Sequence, residues 1–298
     1  MLDLIENVLG IPAPLLFGQL LLGLINGAFY AMLSLGLAVI FGLLNIINFT
    51  HGAQYMMGAF VAWIALNKLG INYWVALLFA PIVIGALGVL IERTMLRKLY
   101  KLDHLYGLLL TFGIGLMIEG IFRNEFGSSG LPYRIPAELQ GAWDLGFMFM
   151  PIYRGWVVVF ALACCLATWL VIEKTRLGAY LRAATENAAL VQAFGVNVPR
   201  MITLTYGAGV ALAALAGVLA APIYSVNPQM GSNLIIVVFA VVVIGGMGSI
   251  LGSVITGFSL GIIEGLTKVF WPEASATVIF VIMAIVLLAR PAGLFGRA

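Results

Sequence analysis

Charged side chains are the scarcest class in this chain. Asp, Glu, Lys and Arg together make up 9% of its 298 residues, against about 25% in soluble domains. No stretch is polar and long enough to fold as a separate aqueous domain. Cysteine is nearly absent: Cys164 and Cys165 adjoin each other inside an apolar run, which excludes a disulfide framework and a cysteine metal cage. The two histidines, His51 and His104, lie far apart in sequence, so no metal site is expected. The phosphate-loop pattern G-x-x-x-x-G-K-[ST] is missing. If nucleotide drives this protein, another polypeptide hydrolyses it. A membrane-embedded enzyme would need His, Asp or Glu clustered near one interface; no such cluster is evident, and no catalytic residue is assigned. The net charge of +3 gives no reason to expect a nucleic-acid partner. Asp3 and Glu6 precede the first apolar run without any Lys or Arg, unlike a secretory signal, so the first helix is expected to stay in the mature protein.

What the chain has in abundance is apolar length. Hydrophobic residues make up 63%, and mean hydropathy is +1.11. At about 20 residues per membrane-spanning helix, there is room for eight to ten spans in membrane lipid. Apolar runs at roughly 15–44, 52–66, 73–91, 105–122, 152–172, 201–221, 234–248, 252–270 and 276–289 read as spans. Basic residues collect in the connections between alternate runs: Arg93, Arg97, Lys98 and Lys101, then Lys174, Arg176, Arg182 and Arg200, then Arg290 and Arg297. The positive-inside rule places these in the cytoplasm. Nine spans satisfy that parity; if 52–66 dips in and returns, the count is eight. The expected fold is all-α, a polytopic integral membrane helix bundle in a single domain over 1–298. An extracytoplasmic connection at 124–151 and a cytoplasmic one at 173–200 are long enough to meet partners. The 35 glycines suit close helix packing in a membrane.

Two breaks interrupt the apolar pattern. Phe41-Gly42-Leu43-Leu44-Asn45-Ile46-Ile47-Asn48-Phe49-Thr50-His51-Gly52 carries two asparagines, a threonine and a histidine between segments that belong in lipid. Unpaired amides in hydrocarbon cost several kcal/mol (about 2–7) each, so they must face water, solute or one another. Asn45, Asn48, His51 and Gly52 are therefore candidates to line a translocation path; hydrogen-bonded packing between helices is the alternative. The second break, Gly245-Gly246-Met247-Gly248-Ser249, offers small residues and free backbone. Gly245, Gly246, Gly248 and Ser249 are candidates to line or gate the same path. Both breaks follow an inward span and precede an outward one, a hint of a parallel repeat. Acidic residues within spans are few. Glu119 and Arg123, and Glu264 and Lys268, stand four apart, the spacing of helical ion pairs. A self-contained ion-coupled transporter, the rival reading, would use a mid-membrane carboxylate, and none is evident. In the cytoplasmic connection, residues 177–196 are helix-prone, with Thr185 as a possible cap and Gly195 as a stop.

Gly23-Leu24-Ile25-Asn26-Gly27-Ala28-Phe29-Tyr30-Ala31, Asn48-Phe49-Thr50-His51-Gly52, Ile244-Gly245-Gly246-Met247-Gly248-Ser249 and Arg290-Pro291-Ala292-Gly293-Leu294-Phe295-Gly296 together resemble the branched-chain amino-acid permease family of bacterial ABC importers. The resemblance is to its shorter permease subunit and runs in order through nearly the whole chain. It implies an inner-membrane permease without cofactor or catalysis, paired with a second related permease. Two cytoplasmic ATPase subunits and a periplasmic solute-binding protein would complete the importer. Members of the family also carry urea, amides or carboxylates. The family's cytoplasmic coupling loop maps onto 182–196, which makes Arg182, Glu186, Asn187 and Gly195 the candidate ATPase-coupling residues. The family's Glu-Ala-Ala triplet falls at Ala189-Leu190-Val191, without its acid; Glu186 stands nearby.

Overall fold

The computed structural model describes residues 11–44, 47–100, 102–146 and 148–296. Asn45, Lys101 and Arg297, together with Asp3 and Glu6, lie outside the described residues. Among the described residues ten α-helices dominate: α1 (Ala13–Leu44), α2 (Thr50–Leu69), α3 (Tyr73–Thr94), α4 (His104–Phe126), α5 (Ile152–Lys174), α6 (Arg176–Ala193), α7 (Val198–Ala220), α8 (Met230–Gly245), α9 (Ile250–Phe270) and α10 (Val278–Ala289). The one sheet among the described residues is a short antiparallel hairpin, β1 (Ala142–Asp144) with β2 (Phe149–Pro151), pairing Trp143 with Met150. It sits in the 124–151 connection, which is also tied to the α7–α8 connection by the bridge between Leu131 and Val226.

Length and composition make six of these helices able to cross a membrane: α1, α3, α4, α5, α7 and α9. The expected nine spans are thus not all matched by long apolar helices. α8 and α10 are apolar but shorter. The 20-residue α2 carries His51, Gln54, Asn67 and Lys68, so composition weakens it as a span although it lies deep in the bundle. Helix starts follow side-chain capping. Asn72 accepts from Val75 N at the head of α3, Asn197 from Arg200 N at α7, and Ser249 from Gly252 N at α9.

The bundle is organised around α1, α2 and α7, whose sides are covered by other helices; α4 and α5 form its rim and present most of their apolar surface outward. Close contact depends on small residues. Gly257, Gly261 and Gly265 recur every four residues on α9 and meet Gly23, Gly27 and Ala31, spaced likewise on α1. A Cβ added at Gly261 would stand 2.4 Å from the Gly27 backbone, so no larger residue fits there. Van der Waals contact of this kind holds helices together where lipid supplies no hydrophobic drive. The expected ion pairs are both present: Arg123 Nη2 donates to Glu119 Oε1 at 2.5 Å and Lys268 Nζ to Glu264 Oε1 at 2.6 Å.

Candidate functional site

The first break is closed. Asn48 is 1% exposed and His51 0%. The His51 ring lies 3.0 Å from Leu33 O through Nε2, so that nitrogen carries the proton and donates to the carbonyl. Its Nδ1 has no partner among the described residues. Asn48 Nδ2 donates to Gln54 Oε1 at 3.2 Å, and the Tyr206 hydroxyl stands beside both amides. The remaining Asn48 oxygen and Gln54 nitrogen are buried, without a hydrogen bond of good geometry among the described residues. Broken backbone at membrane depth must be satisfied from elsewhere, and Thr111 of α4 does this. Its hydroxyl accepts from Phe49 N and lies within hydrogen-bonding reach of Ile47 O, while its carbonyl accepts from Thr50 Oγ1 at 2.6 Å. Gly52 packs its backbone on Gly231 of α8.

The second break is open. Gly245 and Gly246 are buried, but Gly248 and Ser249 line a cavity of about 500 Å³. Gly246 and Gly248 have φ of 99° and 85°, left-handed values that glycine adopts freely. They turn the chain sharply from α8 into α9. The turn is held from below by the C-terminal segment: Leu294 N donates to Ile244 O and Phe295 N to Gly245 O. The two sequence stretches 244–249 and 290–296 are therefore one structural unit. The lower end of α1 closes another side, where a Cβ on Gly42 would stand 3.2 Å from Gly248 Cα. Of the residues singled out from sequence, the structure thus brings the end of the first interruption, at Gly42, against the second. It leaves Asn48 and His51 behind in the packed interior.

The same cavity is lined by Arg182 and Thr185 of α6 and by Ile172 and Glu173 of α5. Arg182 Nη1 donates to Ile172 O at 2.8 Å and pairs with Glu173 Oε2 at 3.4 Å, which fastens the first half of α6 to α5. The helix then breaks at Asn187 (φ −149°, ψ 89°), whose Oδ1 accepts from Leu190 N and starts a second short turn. Asn187, not Thr185, is therefore the internal cap; the Thr185 hydroxyl donates within the helix to Arg182 O. Gly195 follows the helix end with φ of 84°. Glu186, Asn187 and Gly195 are exposed, and beside them Phe194 stands 81% exposed and Leu190 55%. Sequence reasoning missed Leu190 and Phe194, because both read as ordinary apolar positions of a helix.

It also missed Glu92. The span reading stops at Ile91, but α3 continues to Thr94, and the Glu92 carboxylate is 1% exposed. Thr203 Oγ1 donates to one oxygen and Tyr100 Oη to the other, each at 2.6 Å. Burial and the carboxylate beside it push the Tyr100 hydroxyl up from its ordinary range, so it remains a donor. The available signal was spacing: Gly85, Gly88 and Glu92 share the helix face that packs on α7. Glu92 lines none of the cavities described and ties α3, α7 and the 95–102 connection together. Among the described residues no three His, Cys, Asp or Glu side chains gather as a metal centre would require.

Comparison with known proteins gives consistent matches. The family described as branched-chain amino acid transport system / permease component matches residues 19–288. The high-affinity branched-chain amino acid transport system permease protein LivH of Escherichia coli (strain K12) is 31% identical, covering 94% of this chain and 95% of LivH. BraD, the permease protein so described in Pseudomonas aeruginosa, is also 31% identical, with 94% and 95% covered. The permease protein LivM of Escherichia coli (strain K12) is 27% identical over 89% of this chain and 67% of LivM.

Proposed function

The chain belongs to the family of branched-chain amino acid transport system permease components, and from that premise we propose that it is the membrane permease of an ATP-driven importer for branched-chain or other small amino acids. It pairs with a second, related permease in the bacterial inner membrane, and its basic end faces the cytoplasm. Two ATPase subunits dock on α6, and a periplasmic solute-binding protein delivers solute to the opposite end. The similarity to both LivH and LivM, themselves distinct permease proteins, supports a paired arrangement.

The observation that carries this reading is the shared cavity. Arg182 and Thr185 of the docking helix line the same space as Gly248 and Ser249 of the second break. A partner that grips Leu190, Phe194 and Gly195 from below displaces a helix fastened through Arg182 to the end of α5. That displacement reshapes the space next to the glycine turn, which we assign to the inner mouth of the path. Asn48, His51 and Gly52 support the path from within the packed interior, while Gly245 and Gly246 hold the turn. No chemical step occurs in this chain: nucleotide binding in the ATPases shifts an inward–outward equilibrium by its differential affinity for the two states. The one fully buried acid among the described residues, Glu92, is bound on both oxygens away from the cavities described, so it gives no support to an ion-coupled mechanism.

Liposomes test the reading. With imposed proton or sodium gradients, the chain alone is expected to take up no L-leucine, and uptake is expected to require the second permease, ATPases, binding protein and ATP. In the complete system, Phe194→Asp or Gly195→Val should raise the ATP hydrolysed per solute moved while membrane insertion is unchanged. Uphill uptake by the chain alone would overturn the importer reading, and normal coupling in both variants would remove α6 from the docking role.

A further inference from the structure

At the end of the bundle away from the basic connections, α1, α2 and α8 enclose a second pocket of about 250 Å³. Its polar groups are out of place for lipid. Asn26 interrupts the apolar course of α1, and Asn233 projects from the otherwise apolar α8. Neither amide can face hydrocarbon without losing the hydrogen bonds it makes in water, so this side of the bundle meets water or protein. Both amides line the pocket together with Tyr30, Tyr55 and Tyr224.

The hydrogen bonds already made leave a definite remainder. Tyr224 Oη donates to Asn26 Oδ1 at 2.8 Å, which leaves Asn26 Nδ2 as a free donor and the Tyr224 oxygen as a free acceptor. Tyr30 Oη donates to Glu264 Oε2 at 2.7 Å, leaving its own oxygen able to accept. The Glu264 charge is itself paired with Lys268 behind that wall. Tyr55 is 1% exposed and lines the pocket as well. The Asn233 side chain adds one more donor and acceptor. No charged side chain lines the space, and its other walls include Phe29, Met230 and Leu234.

From this arrangement, and resting on the importer reading above, we propose that the pocket is a way-station in the path that selects a zwitterionic amino acid with an uncharged aliphatic side chain. Tyrosine and amide oxygens receive the ammonium, and Asn26 Nδ2, Asn233 and the Tyr55 hydroxyl donate to the carboxylate. The apolar wall takes the side chain. A lysine or aspartate side chain would lie against that wall with its charge unpaired. The volume falls below the ~300–1,000 Å³ of drug-sized sites, which suits one small solute and not a peptide.

The test is protection of a reporter thiol, which needs no turnover. In the purified importer carrying C164A, C165A and L234C, labelling by a water-soluble maleimide is measured with L-leucine, L-lysine or L-aspartate. L-Leucine is expected to slow labelling and the other two are not. Adding Tyr55→Phe should raise the half-protecting leucine concentration about tenfold through the lost hydrogen bond. Adding Asn26→Asp should move protection from leucine toward lysine. Should either variant fail to assemble, the other is read, and Asn233→Asp serves as a second charge-introducing variant. No protection by leucine, or equal protection by all three amino acids, overturns the proposal. Protection by leucine in an importer that does not accumulate leucine would uphold the pocket and overturn the importer reading instead.

Discussion

The two interruptions of apolar helix, at 45–52 and 245–249, settle their polarity in opposite ways. The first carries the stronger polar side chains, yet Asn48, Thr50 and His51 are all but sealed from solvent, and Thr111 satisfies the backbone that the break exposes. The second has only one hydroxyl among its side chains, yet it is the one that opens on a cavity, with Gly248 and Ser249 in its wall. In a membrane bundle, polar side chains gather where broken backbone has to be satisfied. A cavity forms where small residues and a turn leave space. Polarity in sequence and openness in space are therefore different signals, and here they fall on different segments.

The sharpest way to break this contrast is to add bulk at each site. A Cβ on Gly52 would stand 2.6 Å from Gly231 O and 3.1 Å from Ile235 Cβ, the first a backbone atom of α8 that cannot swing aside. Gly52→Val is expected to remove the folded chain from detergent extracts, since overpacking of a rigid contact costs about 1–3 kcal/mol or more. Ser249→Leu, filling open space, should leave folded chain in the membrane. Normal accumulation of the Gly52 variant would mean that the first break is not packed as described.

A next, smaller effect separates the breaks by function. Ser249→Leu loses a helix cap worth about 1 kcal/mol, too little to unfold the bundle, but it should cut ATP-driven uptake about tenfold or more if the path passes there. In a background without Cys164 and Cys165, S249C should react with water-soluble thiol reagents in a nucleotide-dependent way, and N48C and H51C should not. Reaction at Asn48 or His51 positions with protection at Ser249 would reverse the assignment of the path.

The smallest effect concerns His51 alone. Replacing it by leucine removes its hydrogen bond to Leu33 O and should cost about 1–3 kcal/mol, read as a lower unfolding midpoint of the purified protein. Uptake per folded molecule should change little. A large loss of uptake at unchanged midpoint would return His51 to the path itself.

Apolar helices, the positions of both breaks and the two ion pairs were legible because each rests on local pattern: apolar length, polar interruption and spacing of four. The site was legible in part. Gly248, Ser249 and Arg182 were marked as separate features, but nothing local says that an arginine of α6 and a glycine turn nearly 70 positions apart share one cavity. Thr111 was not legible, because a threonine in a span gains meaning only from what packs on it; Glu92 shares a helix face with Gly85 and Gly88, but its partners Thr203 and Tyr100 come only from the tertiary structure.

What the sequence by itself determined is the kind of molecule: apolar runs too long and too numerous for water must pack as helices in lipid. Only the tertiary structure decided which polar residues are satisfied inside and which face open space. That choice depends on neighbours brought together from distant segments, such as Thr111 over the first break and the C-terminal residues 293–296 under the second. A hydrogen bond or a void belongs to the pair of surfaces that make it, and no single stretch of chain carries both.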